Sequence, residues 1–281
     1  MTIKLVTDST CDLPQALLNK LQIQVAPINI LFGSEAYKEN VTITPEVFYQ
    51  KIAEGNRLPK TSQPAAGEFV EIYSALAETT AEILSIHLTS KLSGTYQSAC
   101  LAASMVAERV KVSVIDSLAG SAGLGWMVYE AAGLIDRGRS SGEITDQLEA
   151  KRESISIFFA LETLKYAQMS GRVGKLRSVL GTLLNVKPII GLEQGLIEVV
   201  DKTRSHKSAM QHIIALTREK VQDKPVQVAV VHAQALEQAE TLLALAQAGL
   251  NVQNTFIQNL AISLAVHFGP GTLGLVAYPA G

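Results

Sequence analysis

Short apolar runs alternate with helical patterns along the first half of this chain, and that alternation leaves few folds open. "IKLVTDST" opens as a strand ending in Asp8, Ser9 and Thr10, and Pro14 begins a helix to about Leu21. "IQVAPINILF" reads as one or two strands, broken or forced to an edge by Pro27, which has no N–H to give a ladder. Thr44-Pro45 is an N-cap followed by proline at the first helical position, so a helix runs to about Glu54. "GEFVEIYSALAETT" is helical. "EILSIHLTS" and "KVSVIDS" are strands, each followed by a helix, "SGTYQSACLAASMVAERV" and "AGLGWMVYEAAGLIDRG". Such β/α alternation predicts a parallel sheet covered by helices.

Near residue 155 the pattern changes. "SISIFFAL" is strand-like, and two helical pieces flank "MSGRVGK". "NVKPIIGLEQGLIEVVDKTR" has the form of a hairpin turning at Gln194-Gly195. After a helix at about 206–221, the strands "VQVAVVH", "NVQNTFI" and "TLGLVAY" alternate with helices. The expectation is a two-domain α/β protein. Residues 1–154 form a parallel-sheet domain, and residues 155–281 form an α/β domain with a mixed sheet. Ligands of such proteins commonly bind at domain interfaces and beyond the carboxyl ends of strands.

Of the 281 residues, 47% are apolar and 18% charged, and the mean hydropathy is +0.21. That suits strands buried on both faces, or an internal cavity lined by aliphatic side chains. The net charge of −2 and pI near 6.2 give no basis for nucleic-acid binding. Cys11 and Cys100 lack metal spacing and read as reduced thiols. "MTIKLVTDST" reads as a strand and lacks the apolar stretch of a signal peptide, and no run approaches the roughly 20 apolar residues of a membrane span. A soluble, cytoplasmic protein is expected.

Three kinds of polar element stand out. In "LPKTSQPAAGEF", Pro64 suits the first helical position, which makes Gln63 the formal N-cap with Thr61 and Ser62 just outside it. The stretch reads equally as a plain cap or as an anion site, because free N–H groups and the helix dipole both favour negative charge. "HLTSKLSGTYQSA" offers a second such element at Ser93-Gly94-Thr95, and the pair could converge on one polar group. Asp8-Ser9 and Asp116-Ser117 follow strands, where open α/β sheets carry functional loops, although Asp and Ser there also cap helices. No G-x-S-x-G elbow marks a nucleophile, none of the five histidines can be tied to a serine, and no histidine pair has metal-ligand spacing. His267 closes an apolar helix ahead of "GPG"; it reads either as a core residue or, favoured in its charged form by the helix end, as a donor to a carboxylate or phosphate. Residues 164–192 carry Lys165, Arg172, Lys175, Arg177 and Lys187 without one acid, and Lys202, Arg204 and Lys207 follow. This is either a solvated face or a contact for phosphate or an acidic partner.

Together "TDST", "TSQP", "LSGTYQSA", "IDS", "SGRVGKL", "VKPI" and "HFGPG" occur here in the order seen in the DegV family. The resemblance covers essentially the whole chain. It implies two α/β domains with a long-chain fatty acid buried between them. It also implies the role of acyl-binding, non-catalytic subunit of a bacterial fatty acid kinase, whose separate ATP-dependent kinase subunit makes an acyl phosphate for phospholipid metabolism. Carried over by residue, Thr61 and Ser93, with Gly94 and Thr95, would hold the carboxylate, and His267 would lie near that head group. Ser62, Gln63, Asp116 and Ser117 would support them. Arg172 and Arg204 would engage the kinase or assist phosphoryl transfer. No cofactor or metal is implied beyond the fatty acid ligand, and transient membrane contact would accompany lipid exchange. Ala65 stands where the family often has serine, and Ser117 where it often has threonine. Outside the resemblance, a lipid-binding sensor and a stand-alone serine-type esterase remain alternatives.

Overall fold

A computed structural model describes residues 3–55, 59–172 and 186–280. The second helical piece expected beyond "MSGR", with Lys175 and Arg177, lies outside these residues. The chain divides into two compact units, one of residues 1–150 with 261–263, the other of residues 151–260 with 264–281. The fold is mixed α/β, with a parallel sheet in the first unit and a mixed sheet in the second.

In the first unit, β1 (Ile3–Asp8), β2 (Gln24–Ala26), β6 (Glu82–His87) and β7 (Lys111–Asp116) form a sheet in the order β2-β1-β6-β7, parallel throughout. Pro27 splits the expected "IQVAPINILF" strand between two sheets. β3 (Asn29–Phe32), after the break, joins β4 (Glu35–Lys38) and β5 (Lys60–Ser62) in a small antiparallel sheet ordered β4-β3-β5. Helix α1 (Gln15–Lys20) links β1 to β2, and α2 (Pro45–Glu54) starts as expected, with the Thr44 hydroxyl accepting from Val47 N–H. Helices α3 (Ala66–Ala77) and α4 (Thr95–Met105) cover the sheet: Phe69, Tyr73, Ala99 and Ala102 share one core with Val6 and Ile83. Helix α5 (Ala122–Asp136) follows β7 and is mostly buried; it comes so close to the β1 loop that a β-carbon at Gly125 would lie 2.2 Å from the Cys11 carbonyl. Helix α6 (Ser141–Lys151) ends the segment; its low apolar content hid it from periodicity.

The second unit holds β8 (Ser156–Ala160), β9 (Lys187–Glu193), β10 (Leu196–Thr203), β11 (Val226–His232), β12 (Val252–Asn259) and β13 (Leu273–Pro279), ordered β10-β9-β8-β13-β11-β12. Among the described strands of this unit, only β11 and β12 pair in parallel. Helices α7 (Lys165–Ser170), α8 (His206–Val221), α9 (Leu236–Gly249) and α10 (Ile262–Phe268) lie between these strands in the chain. A core of Ile213, Val228, Val230, Leu242 and Leu275 joins α8 and α9 to the strands. Among the described residues no helix is long and apolar enough to cross a membrane.

The β9–β10 hairpin turns at Gln194-Gly195 with φ of +48° and +79°. Two successive left-handed residues match the twist of the flanking strands. Gly195→Ala places a β-carbon in that region and should cost about 1–2 kcal/mol, read as a lower urea midpoint with an unchanged slope.

Candidate functional site

The strand order β2-β1-β6-β7 sends the chain from β1 first to one side and then to the other. The crevice at such a reversal, outside the carboxyl ends of the strands, is where open α/β sheets bind ligands. The loops leaving β1, β6 and β7 lie at that edge, and they carry Asp8-Ser9-Thr10, Thr89 to Thr95, and Asp116-Ser117.

Asp8 organises this edge. It is fully buried, and its carboxylate accepts from Thr10 N–H (3.1 Å), Thr10 Oγ1 (2.5 Å), Leu88 N–H (2.9 Å) and His87 Nδ1 (3.1 Å). Burial alone would raise its pKa, but the His87 bond and charge, with Thr10 and Leu88, outweigh it and hold the carboxyl below the usual aspartate value. His87 Nε2 reaches Ser85 Oγ at 2.7 Å, and Ser85 reaches Tyr73 Oη at 2.8 Å. Residues 85 and 87 share one face of β6 because strand side chains alternate. This line has the connectivity of a serine–histidine–aspartate triad, which the sequence left unassigned. All three side chains are 0% exposed, and Ser85 is already bonded on both sides. The line is a buried brace between β1, β6 and α3, with no face open to an acyl group.

Past Leu88 the β6 loop is tied to β7. Asp116 Oδ1 accepts from Ser90 N–H (3.1 Å) and Leu118 N–H (3.0 Å). Ser117 N–H donates to the His87 carbonyl (3.0 Å), and the Ser117 hydroxyl closes its own turn on Ala119. Asp116 and Ser117 therefore shape the loop that carries Ser93 and do not cap the next helix. Ser93 Oγ lies 2.8 Å from Thr95 Oγ1 and accepts from Thr95 N–H at 3.3 Å, with Gly94 as the N-cap of α4.

The expectation for "TSQP" is corrected in detail. Helix α3 starts at Ala66, with Ala65 as its N-cap and the Glu68 carboxylate accepting from Ala65 N–H at 2.8 Å. Pro64 is not the first helical residue and Gln63 is not the cap. Thr61 and Ser62 instead end strand β5, where Thr61 stands opposite Ile30 and Ser62 opposite Asn29. Directly opposed residues point to one face, so Thr61 faces the side of fully buried Ile30, while Lys60 and Ser62 are exposed. Asn29 Nδ2 holds the Gln63 carbonyl at 3.3 Å. The Gln63 amide lies against Gly94, where a β-carbon would come 2.4 Å from its Nε2. The two hydroxyl elements thus meet through Gln63 and Gly94, in the first unit.

His267, Arg172 and Arg204 belong to the second unit. His267 lies near the end of α10, and "GPG" folds behind it: Gly269 N–H bonds the Ala265 carbonyl (2.8 Å) and Gly271 N–H the Ala233 carbonyl (2.7 Å). Of the two readings left open for His267, a core residue or a charged donor, burial favours the first. Burial, with the Arg172 guanidinium adding to it, pushes the His267 pKa down to about 3. A seven-residue helix offers only a fractional charge at its end, and desolvation of an imidazolium outweighs it. Arg172 donates to the Ser170 carbonyl at 2.7 Å, and Arg204 is exposed between β10 and the Ser205 cap of α8. Among the described residues of the basic region, Lys187 is paired. Glu162, just ahead of that region, takes both Lys187 (2.5 Å) and His206 (3.0 Å).

Two buried acids were not singled out in the sequence. Asp12 accepts from Ser121 Oγ (2.5 Å) and Ala261 N–H (2.7 Å). Glu39 accepts from Ser9 Oγ (2.5 Å), Ser263 Oγ (2.7 Å) and Ser263 N–H (2.9 Å). Isolated acids in "TCDLP" and "YKENV" carry no pattern that separates them from surface residues, so no local signal could have found them. Burial pushes Asp12 well up and Glu39 up to about 7, with Asp8 adding to both and Asp12 also facing Glu39.

A doubly wound unit with polar loops at its carboxyl edge is a common frame for binding small molecules. The DegV family model, described as "Uncharacterised protein, DegV family", matches residues 2–280. A DegV domain-containing protein of Staphylococcus aureus is 36% identical over 273 residues, 97% of each chain. A fatty-acid-binding DegV family protein from Thermus thermophilus has a TM-score of 0.94 at 35% identity, with both chains fully covered. A stearic-acid-binding protein from Eubacterium ventriosum has a TM-score of 0.92 at 26% identity, over 99% of this chain and 98% of that one. The chain belongs to the DegV family.

Two titrations check the site. A histidine whose pKa falls on folding leaves the unfolded state binding more protons below the unfolded value, so its contribution to stability is lost as pH drops below about 6.5. The His267 ring resonance should stay in its neutral position from pH 8 to 5. Glu39 has the opposite sign: its folded pKa is raised, so stability declines as pH rises from about 4.5 to 7. Glu39→Gln should flatten that part of the melting-temperature profile.

Proposed function

We propose that this protein binds a long-chain fatty acid and presents its carboxyl group to a separate ATP-dependent kinase subunit, which converts it to an acyl phosphate. The observation that carries the reading is the meeting of the two hydroxyl elements through Gln63 and Gly94 at the carboxyl edge of the parallel sheet. The fatty acids bound by the Thermus and Eubacterium relatives support the ligand class. In this reading Thr61 and Ser93, with Gly94 and Thr95, hold the carboxyl oxygens, and Ser62, Gln63, Asp116 and Ser117 keep that cradle in shape.

The chemistry is consistent with each end of the ligand. Burying an acyl chain contributes roughly 0.8 kcal/mol per methylene, so about fifteen carbons gain on the order of 10 kcal/mol before ordering costs. The carboxyl end is costly to bury unless it is hydrogen-bonded, and hydroxyls donate to it whether or not it is ionised. A neutral His267 would donate an N–H without forming an ion pair. The head group would then be oriented but not locked, as a substrate awaiting phosphorylation requires. Enclosure also shields an acyl phosphate, a reactive mixed anhydride, from water. Arg172 and Arg204 would meet the kinase subunit or the transferring phosphoryl group, for which a guanidinium is well shaped.

Denaturing the purified protein, extracting it and recording a mass spectrum should release a long-chain fatty acid; protein that carries none and binds none when supplied would overturn the reading. Thr61→Val and Ser93→Ala should each weaken binding by roughly 1.5–3 kcal/mol, the cost of a hydrogen bond to a charged group. Unchanged affinity in both removes the cradle. Arg204→Ala should leave fatty acid affinity near wild type and lower acyl phosphate formation when kinase subunit and ATP are added; no product with the wild-type chain would leave a lipid carrier without a kinase role.

A further inference from the structure

Asp12 and Glu39 are 6% and 1% exposed, and among the described residues neither has an ion-pair partner. Nor does any group of described His, Cys, Asp and Glu side chains suit a metal ion. Uncompensated buried carboxylates destabilise a fold unless their acceptor capacity is used. Here it is used on one short segment far along the chain. Asp12 takes the N–H of Ala261, and Glu39 takes both the N–H and the hydroxyl of Ser263. Each acid is itself anchored, Asp12 by Ser121 and Glu39 by Ser9, whose oxygen also accepts from Ile28 N–H at 2.9 Å.

The anchoring side of this arrangement is strained. Asp12 has φ of +47°, and Ser121 has φ of +53° with ψ of −148°, a region otherwise almost reserved for glycine. Strain of this kind persists where the surroundings over-determine it, and it gathers at sites under functional demand.

What is gripped is specific. Residues 261–263 pack with the first unit, although the chain on both sides of them belongs to the second. Ile262 begins α10, and His267 stands five residues further on, little more than one turn away. A short helix held at its first residues transmits that placement to its last.

We propose that Asp12 and Glu39 are positioning residues for His267: their carboxyl groups fix where α10 begins and so where its imidazole stands. The role at a head group rests on the fatty acid reading above, whereas the placement of His267 does not. The acids touch no ligand in this account; they act through the helix.

The test uses the full-length protein with Glu39→Ala, Asp12→Ala, Ser263→Ala, the conservative Glu39→Gln, and Leu242→Ala as a control in the core of the second unit. Two readouts are taken: the ring resonance of His267 in ligand-free protein, assigned with His267→Gln, and the affinity for stearate. Glu39→Ala and Asp12→Ala should shift the His267 resonance and weaken stearate by about tenfold or more. Ser263→Ala, which removes only the hydroxyl bond, should shift the resonance less and in the same direction; it decides the matter if the two alanine variants of the acids do not fold. Glu39→Gln keeps an acceptor for Ser263 N–H and should restore both readouts. Leu242→Ala should lower the melting temperature without moving the resonance. A wild-type resonance in all of Glu39→Ala, Asp12→Ala and Ser263→Ala, or an equal shift in Leu242→Ala, would overturn the proposal. Failure of the wild-type chain to bind stearate would instead count against the fatty acid reading, with the resonance still deciding the placement.

Discussion

A carboxylate removed from water must find donors, and the first unit is arranged around the four that Asp8 finds. Two come from Thr10 in its own loop, one from the Leu88 backbone and one from His87. The bonds to Leu88 and His87 fasten the exit of β1 to the exit of β6. From there Ser117 and Asp116 fasten β6 to the exit of β7. The carboxyl edge of a parallel sheet is otherwise a set of loops with no ladder to hold them. Buried side-chain acceptors take over that role, and the Ser93 hydroxyl inherits its place from them.

The same economy explains why a triad-like line occurs without catalysis being its evident use. Ser85, His87 and Tyr73 carry the hydrogen bonds of Asp8 inward until each polar group has a partner. A nucleophile needs an open face and spare hydrogen-bonding capacity, and Ser85 has neither. Ser93 and Thr61, by contrast, are partly exposed, and Ser62 is exposed.

Much of this was legible in the residues. The β/α alternation, the Thr44-Pro45 helix start, the Gln194-Gly195 turn and the helix from residue 206 are set by local chemistry, and each forms where the pattern puts it. The "TSQP" stretch was legible as a polar element but not as a strand end, because its pairing with β3 is a contact across more than thirty residues of chain. The charge of His267 stayed open between a core residue and a charged donor for a related reason. A helix end acts locally and favours the cation, whereas burial is a tertiary quantity and overrides it.

The sequence by itself determined the class of fold, the order of the elements and the polar residue types that the loops carry. These follow from periodicity, glycine and proline geometry and capping, all of which act over a few residues. Only the tertiary structure decided which hydroxyl element meets which, that burial disfavours the charged form of His267, and that two unremarkable acids, Asp12 and Glu39, hold residues 261–263. Those outcomes depend on desolvation and on partners 224 and 249 positions away, and neither is written in any local stretch of the chain.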